Sequence, residues 1–241
     1  MIWAGLLGLL LIAGVLYWLL ILSEGTYLGR TVVTALYDWE ASRYDPIKQV
    51  QPQDDALHLA RPLAEALRGV AAPLVLDVAT GTGRLPLSLL RQLDFEGHIV
   101  GLDLSRRMLA IAQRKTQHQR VRVGFVRQDA TTLPFADRAF HAVTCLEALE
   151  FLPKPVAALA ELVRVLHPGG QLLISNRVGI DAFLLPGRAF RPQALQRHLQ
   201  SLGLVEIQPR RWQVHYDLVA AHKPVEQSQP EMTSKGPCGQ G

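Results

Sequence analysis

The chain opens with an uncharged run, Met1 to Leu22, in which apolar residues predominate. A helix rises about 1.5 Å per residue, so roughly 20 apolar residues cross the hydrocarbon core of a bilayer, which is about 30 Å thick. Trp3 lies near one end of the run, and Tyr17 and Trp18 lie near the other, where aromatic rings favour the membrane interface. The pattern predicts one transmembrane anchor over residues 1–22.

Two other interpretations of this run fit its composition less well. A cleaved secretory signal has a basic start, an apolar stretch of about 7–15 residues and a small-residue cleavage site. Here no Lys or Arg precedes the run, and the run is longer than such a stretch. A helix buried in a soluble protein rarely continues so far without a polar face. Arg30, Arg43 and Lys48 follow the run, and basic flanking residues favour the cytoplasm, so we expect the rest of the chain there.

The remaining sequence alternates short apolar runs with amphipathic stretches. A connector over residues 23–53 precedes a helix that we expect to run from Asp54 or Asp55 to Leu67, with Pro62 either kinking it or marking its first turn. Strands are predicted at 73–79, 98–104, 121–127, 140–146 and 169–176. Helices are predicted between them at 85–93, 106–117 and 156–166.

This alternation of strand and helix is typical of a parallel sheet covered by helices on both faces. A later helix at 193–201 and strands at 204–208 and 212–220 complete a predicted Rossmann-like α/β fold with a seven-stranded, mostly parallel sheet. The predicted domain covers residues 54–222. Residues 223–241 are rich in Pro, Gly, Ser and Gln, which predicts a disordered tail.

The composition narrows the classes of partner. The net charge of +4 and the isoelectric point near 9.3 suit an anionic membrane surface. The Arg and Lys residues are scattered and not interleaved with aromatic residues, so we do not expect nucleic-acid binding. The two cysteines, Cys145 and Cys238, do not form a disulfide framework, and no His/Cys spacing predicts a metal site. Cys145 is expected to be a small core residue.

The segment VLDVATGTGR, residues 75–84, carries the most specific chemistry. Gly81 and Gly83 permit a tight turn and let a ligand approach the backbone. About twenty residues later, Asp103 ends the next strand, from which an acid can hold ribose hydroxyls. A dinucleotide fold shares these features, but Asp77 would repel a pyrophosphate at the following helix N-terminus. A ligand with ammonium and sulfonium groups would be attracted instead, and S-adenosylmethionine is such a ligand.

Four stretches, in this order and spacing, resemble the class I S-adenosylmethionine-dependent methyltransferases of the type 11 group, which includes the ubiquinone/menaquinone-biosynthesis C-methyltransferases. They are VLDVATGTGRL, VGLDLSRRMLAIAQRK, FVRQDATTLPFADRAFHAV and ELVRVLHPGGQLLISN. The resemblance extends from about Tyr37 to Ala220, and it implies S-adenosylmethionine as the cofactor. Methyl transfer needs mainly the alignment of its reactants, so a catalytic side chain need not be visible, and the sequence identifies none.

The resemblance also implies residue roles. Cofactor contacts are implied for Asp77, Ala79, Gly81 and Gly83 around the methionine part, Asp103 at the ribose, and Leu104, Met108, Asp129 and Ala130 around the adenine. Ala79 stands where many relatives have a glycine, and its small side chain makes the change tolerable. The segment TALYDWEASRYDPI resembles the N-terminal segment of the family, whose aromatic residues form a lid over the cofactor. The resemblance implies this role for Tyr37 and Tyr44. The simpler alternatives are that Asp77 and Asp103 only cap helices and that Asp129 is only a turn residue.

The acceptor side is less defined by the sequence. Glu147 and Glu150 follow the fourth strand, where relatives often have a His, and they are candidates for contacting the acceptor, although solvent exposure is the simpler expectation. The insert, residues 178–195, includes Phe183 and two arginines. We expect it to contact a lipid-like acceptor or the bilayer, or else to fold against its own domain. His141 replaces a common acid of the family and is expected at the surface.

Together these features predict a single-pass membrane methyltransferase for a small, apolar or lipid-like acceptor of the quinone or isoprenoid type. The predicted transmembrane anchor motivates the choice of acceptor, because it raises the effective concentration of the enzyme relative to molecules dissolved in the bilayer. The alternatives are a non-catalytic membrane scaffold with this fold and a NAD-dependent oxidoreductase. Titration with S-adenosylmethionine and with NAD distinguishes the three.

Overall fold

A seven-stranded sheet forms the centre of the molecule, which we describe from a computed structural model over residues 2–48 and 51–225. Its strands lie in the order β3-β2-β1-β4-β5-β7-β6. Their bounds are β1 Leu74–Val78, β2 His98–Asp103, β3 Val123–Arg127, β4 Phe140–Cys145, β5 Leu166–Arg177, β6 Val205–Arg211 and β7 Tyr216–His222. Strands β1 to β5 are parallel, and β7 lies antiparallel between β5 and β6. The predicted Rossmann-like, mostly parallel sheet is confirmed.

Ten α-helices surround or precede the sheet in the described part of the chain. They are α1 Ile2–Tyr17, α2 Arg30–Glu40, α3 Tyr44–Ile47, α4 Pro52–Asp55, α5 Arg61–Ala66, α6 Arg84–Leu89, α7 Arg106–Lys115, α8 Pro155–Val165, α9 Gly179–Phe183 and α10 Pro192–Ser201. A π-helical turn, Trp18–Leu22, extends α1, and a second, Ala56–Ala60, joins α4 to α5. The other short turns are 3-10 helices at Ala41–Arg43, Gln117–Gln119 and Leu149–Phe151.

The apolar core lies on both faces of the sheet, because successive strand residues point to opposite sides. In β1, Leu76 and Val78 belong to one buried cluster, which includes α8 and α10 residues. Val75 belongs to a second cluster, formed with α5 and α6. By the same alternation, Asp77 lies on the side of Val75. The sheet therefore holds a carboxylate at its carboxyl edge within an apolar setting.

Some predicted boundaries differ from those observed. The helix predicted from Asp54 or Asp55 begins at Pro52, because a proline suits the first helical turn, and it includes a π-helical turn just before Pro62. The helix predicted at 85–93 ends at Leu89. The strand predicted at 212–220 begins at Tyr216, because 212–215 form the turn between β6 and β7. The connector contains α2 and α3.

The predicted tail begins within the folded structure. The backbone N–H of Lys223 donates to Gly170 O at 3.0 Å, and the Gly169 N–H donates to Lys223 O at 2.7 Å. The Lys223 Nζ also donates to the carbonyls of Val163 and Leu166 at 2.8 Å each. Lys223 is therefore bound to the α8–β5 junction, and the prediction that it is disordered is wrong. Residues 226–241 of the predicted tail lie outside the described residues.

Residues Trp3–Leu22 are long and apolar enough to cross a membrane, with a mean hydropathy of 2.5. None of this segment is buried inside the structure. A helix in the core of a soluble protein would be buried, so that interpretation is not supported. A signal sequence near an N-terminus would meet the same criteria of length and composition.

Candidate functional site

A cavity lies at the carboxyl ends of β1, β2 and β4, with about 770 Å³ of empty space. A neighbouring cavity, with about 430 Å³ of empty space including its opening to solvent, shares part of its wall. Ligands of open α/β sheets bind at this edge, beside the point where the strand order reverses. Strand β1 is that point, because β2 lies on one side of it and β4 on the other. The shared wall consists of Tyr44, Ala79, Gly81, Leu146 and Glu147.

The loop between β1 and α6 has the left-handed backbone that its small residues allow. Ala79, Gly81 and Gly83 have φ angles of 57°, 53° and 75°. A side chain costs about 1–2 kcal/mol in this region, which explains why a glycine is common at the place of Ala79. A Cβ on Gly83 would lie 2.9 Å from the Cβ of Ala112, whereas a Cβ on Gly81 would meet nothing within 4 Å. Gly83 thus permits close packing with α7, and Gly81 leaves the cavity floor open.

Asp77 is a buried carboxylate beneath this loop. Its Oδ2 accepts from Thr80 Oγ1 and its Oδ1 accepts from Thr144 Oγ1, both at 2.6 Å. Thr144 is the register partner of Asp77 on β4. Burial raises the pKa of Asp77 to about 6, although the two threonine hydrogen bonds lower it. Asp77 lines the smaller cavity.

Asp103 lies at the end of β2 and lines the larger cavity. Its Oδ2 accepts from the Gly81 N–H at 2.9 Å, and its Oδ1 accepts from the Ser105 N–H at 2.8 Å. Burial raises the pKa of Asp103 above its usual range, against the effect of these hydrogen bonds. Within residues 2–48 and 51–225, neither Asp103 nor Asp77 has an ion-pair partner. The floor of the site therefore carries a buried carboxylate, Asp77, and a partly buried one, Asp103, which a cation can neutralise.

Of the residues predicted to surround the adenine, some line the larger cavity and others do not. Leu104, Asp129 and Ala130 line the larger cavity. Asp129 accepts from Arg30 Nη1 at 2.7 Å. Burial raises the pKa of Asp129, but hydrogen bonds from Thr131 and Arg30 outweigh it, so the pKa is lower than usual. Met108 is buried in α7 and is not among the residues that line the cavity.

The segment predicted to form a lid contributes part of the wall of the larger cavity. Tyr37 and Tyr44 both line it, with their ring centroids 6.0 Å apart. The Tyr37 hydroxyl donates to Glu24 Oε2 at 2.6 Å, and burial raises the pKa of Tyr37 well above its usual value. Asp38 fastens α2 to α7, because it accepts from Ser105 Oγ at 2.5 Å and from the Arg107 N–H at 3.1 Å.

Glu147 lines both cavities and is 8% exposed, so the expectation of a solvated side chain is wrong. Its carboxylate accepts from Arg84 Nη1 at 2.7 Å and from Gln213 Nε2 at 3.1 Å. Arg84 also forms a two-point contact with Asp55, at 2.6 and 2.7 Å. Lys48 Nζ lies 3.8 Å from the other oxygen of Glu147. These partners fix the Glu147 carboxylate on the cavity wall.

Glu150 is 1% exposed, and the expectation that it is solvated is also wrong. It accepts from the Tyr216 hydroxyl at 2.5 Å and lies 3.6 Å from Arg177 Nη1. The guanidinium of Arg177 stacks near the rings of both Phe151 and Tyr216. Burial raises the pKa of Glu150 above its usual range. Glu150 does not line the larger cavity, and its partners connect it to β5 and β7.

Phe183 is not part of the site. It is 84% exposed on α9 and does not line either cavity. His141, expected at the surface, is half-buried, and its Nδ1 accepts from the Leu74 N–H at 3.1 Å. The sequence pattern does not single out Arg84, which holds Glu147, or Asp55, which holds Arg84. In the sequence, Arg84 is an arginine directly after the glycine loop and Asp55 is an aspartate at the start of a helix. Neither feature is specific for a wall-supporting ion pair.

Comparisons with known proteins agree with this geometry. Residues 75–170 match the protein family described as a methyltransferase domain. The demethylmenaquinone methyltransferase of Renibacterium salmoninarum is 37% identical over 144 residues, or 60% of this chain and 58% of that protein. The ubiquinone/menaquinone biosynthesis C-methyltransferase UbiE of Roseobacter denitrificans is 32% identical over 157 residues, or 63% of this chain and 60% of that protein. The chain thus spans less than two thirds of the length of these relatives.

A solved structure shares the fold. A SAM-dependent methyltransferase from Aquifex aeolicus aligns with a TM-score of 0.59 and 18% identity, and the alignment covers 76% of this chain and 97% of that one. At this identity the likeness concerns the fold alone. Its coverage exceeds that of the sequence matches, because it includes elements outside residues 75–170.

Proposed function

We propose that this chain, a class I methyltransferase similar to the ubiquinone/menaquinone-biosynthesis C-methyltransferases, transfers a methyl group from S-adenosylmethionine to a small apolar acceptor at a membrane surface. One observation carries the proposal. Asp77, which is buried, and Asp103, which is partly buried, have no ion-pair partner within the described residues, and they adjoin a cavity floor that Gly81 leaves open. A cationic nucleoside compensates these charges, whereas the pyrophosphate of NAD would be repelled by them.

The residues around the cavity suit the three parts of this cofactor. We assign the ammonium end to the neighbourhood of Asp77, with Ala79, Gly81 and Gly83 forming the turn around the methionine part. Asp103 is assigned to the ribose hydroxyls, because its carboxylate lines the larger cavity at the end of β2. The adenine is assigned to Leu104, Asp129 and Ala130. Tyr37 and Tyr44 then form the wall that separates the reacting centre from water.

When bound, S-adenosylmethionine supplies a methyl carbon on a sulfonium, so an acceptor electron pair forms the new bond, the C–S electrons return to sulfur, and the acceptor gives up a proton. The chain has to align these atoms and exclude solvent. The lid, fastened to α7 through Asp38, provides the closure. Glu147 is assigned to the acceptor side, because its carboxylate is fixed at the wall that the two cavities share.

The walls of the larger cavity motivate the acceptor class. Apolar side chains form a large part of the lining, namely Val33, Leu146, Ala148, Phe151, Leu152 and Pro153. Such a surface suits a quinone or isoprenoid ring better than a charged metabolite. The apolar helix Trp3–Leu22 is assigned to the bilayer, with the folded domain on the cytoplasmic side, as the basic residues after the helix favour.

Calorimetry on the detergent-solubilised full chain tests the cofactor. S-adenosylmethionine and its demethylated product should bind, and NAD should not. Asp103→Asn should weaken binding by about tenfold or more, since hydrogen bonds to a charged group contribute about 1.5–3 kcal/mol. The matched control is Asp94→Asn, an exposed carboxylate that pairs with Arg68 away from the cavity. A folded chain that binds no S-adenosylmethionine would favour the scaffold alternative, and NAD binding would favour the oxidoreductase.

The acceptor is tested with an isotopically labelled methyl donor. The solubilised chain is incubated with the donor and a membrane lipid extract, and the products are separated by polarity. We expect label in an apolar, extractable product. Label that remains only in water-soluble molecules would contradict the acceptor class without contradicting cofactor binding.

A further inference from the structure

The insert contacts the end of the apolar helix directly. The indole Nε1 of Trp18 donates to Leu184 O at 3.0 Å. The Trp18 ring stacks on Tyr27 with 4.9 Å between centroids, and the Tyr27 hydroxyl donates to Pro186 O at 2.8 Å. The insert and the last turn of the apolar helix therefore lie side by side, at the same height along the helix axis.

The same insert contacts the rim of the larger cavity. Arg188 Nη1 donates to the carbonyls of Leu152 and Pro153, each at 2.9 Å, and Arg188 Nη2 donates to Thr26 O at 3.1 Å. Leu152 and Pro153 both line the cavity. One guanidinium thus joins three segments: the insert, the chain after the apolar helix, and the cavity rim.

The short helix α9, within the insert, exposes two large apolar side chains. Ile180 is 79% exposed and Phe183 is 84% exposed. They are three positions apart, so they lie on one face of the helix. Leu185, just beyond α9, is 1% exposed and attaches the segment to the domain. An exposed aromatic and aliphatic pair next to an apolar helix is typical of a surface that meets lipid.

We propose that α9 is a second membrane contact, inserted at the head-group boundary beside the apolar helix, so that the cavity rim lies at the bilayer surface. The proposal rests on the membrane location of α1 given under the proposed function. Trp18 lies four residues before Leu22, or about 6 Å along a helix, and its indole favours the interface. Leu184 O is bonded to that indole, so the adjacent Phe183 lies at the same depth.

The consequence concerns the path of the acceptor. Arg188 connects the insert to Leu152 and Pro153, so the rim is held next to the lipid contact. An apolar acceptor would then move from the bilayer into the cavity without exposing its apolar surface to bulk water.

Depth-dependent fluorescence quenching tests the proposal on the full chain in phosphatidylcholine–phosphatidylglycerol vesicles. The background variant is Cys238→Ser, which leaves the buried Cys145. Single cysteines are introduced by Phe183→Cys and Ile180→Cys and labelled with an environment-sensitive dye. The matched control is Val121→Cys, which is 89% exposed near the start of β3, an edge strand of the sheet. Circular dichroism checks that each variant is folded.

Nitroxide-labelled lipids should quench the dye at positions 183 and 180 at least about twofold more than at 121, because only the former contact the interface. Equal quenching at all three positions would overturn the proposal. Protection from both lipid nitroxide and aqueous iodide at 183 would indicate a protein contact instead, and would also overturn it. A dye at Leu10→Cys separates the two hypotheses: quenching there but not at 183 leaves the anchor intact, whereas no quenching at either contradicts both.

Discussion

Asp77→Asn removes one negative charge from the buried floor of the site and leaves the shape of the side chain nearly unchanged. The new amide can accept from Thr80 and donate to Thr144, whose hydroxyl also lies 3.3 Å from Leu76 O and can donate there. The substitution therefore isolates the charge from the packing. Two opposite effects are expected, one on stability and one on cofactor binding.

The effect on stability follows from the pKa of Asp77, which burial raises from 3.8 to about 6. A carboxyl with a raised pKa holds its proton more tightly in the folded state, so the free energy of unfolding falls as the pH rises from about 4 to about 6. The difference in pKa corresponds to about 3 kcal/mol, at about 1.4 kcal/mol per pKa unit. Above pH 6, the cofactor-free wild type should lack this amount, and Asp77→Asn should regain it.

Urea unfolding of the solubilised full chain, followed by tryptophan fluorescence between pH 4 and pH 7.5, measures this difference. The stability of Asp77→Asn relative to wild type should increase by about 2–3 kcal/mol across the range. Asp54→Asn, at an exposed position, controls for the loss of a charge alone. A difference between Asp77→Asn and wild type that does not change with pH would refute the reasoning.

Cofactor binding should change in the opposite sense. Wild-type affinity for S-adenosylmethionine should fall about tenfold between pH 7 and pH 5, because a group with a pKa near 6 is about one-tenth ionised one pH unit below it. Asp77→Asn should bind weakly at both values and lose this dependence. An asparagine variant that binds as tightly as wild type would remove Asp77 from the proposed site.

Two further predictions concern the wall and the loop. Arg84→Met should lower the free energy of unfolding by about 3–5 kcal/mol, because it leaves Asp55 buried without its cation and leaves Glu147 with only the more distant Lys48. Asp55→Asn added to it should restore part of the loss in urea unfolding, and a loss below about 1 kcal/mol would contradict a coupled network. Gly83→Ala should lower the free energy of unfolding by about 2–4 kcal/mol, because of backbone strain and the contact with Ala112. Gly81→Ala should lower it by only about 1–2 kcal/mol and should instead weaken S-adenosylmethionine binding in calorimetry. Equal stability losses for the two variants would contradict this division of roles.

The parallel sheet was predictable because its signals are local. Each of β1 to β5 contains a short apolar run, and the glycine loop after β1 identifies the switch point without any distant contact. The positions of Asp77 and Asp103 follow from the same argument, since the carboxyl ends of adjacent parallel strands share one edge. The strand and loop pattern therefore determined where the site lies.

The burial of Glu147 was not predictable in the same way. Its partner Arg84 is 63 positions away, and Gln213 is 66 positions away, so the network depends on contacts that no local pattern records. The exposure of Phe183 was also not predictable. The local sequence around a hydrophobic residue in an insert does not indicate whether its side chain faces a cavity or solvent. The role of Met108 was carried over from the resemblance, and α7 turns its side chain into the core.

Strand β7 is the last of the seven strands in the sequence, yet it lies inside the sheet. Seven register pairs connect it to β5, and β6 is connected to the sheet only through it. A stop codon before Tyr216 would therefore not trim a border strand. It would leave the long β5 with an open hydrogen-bonding edge and detach β6, so the shortened polypeptide should aggregate or be degraded while the glycine loop is still encoded intact.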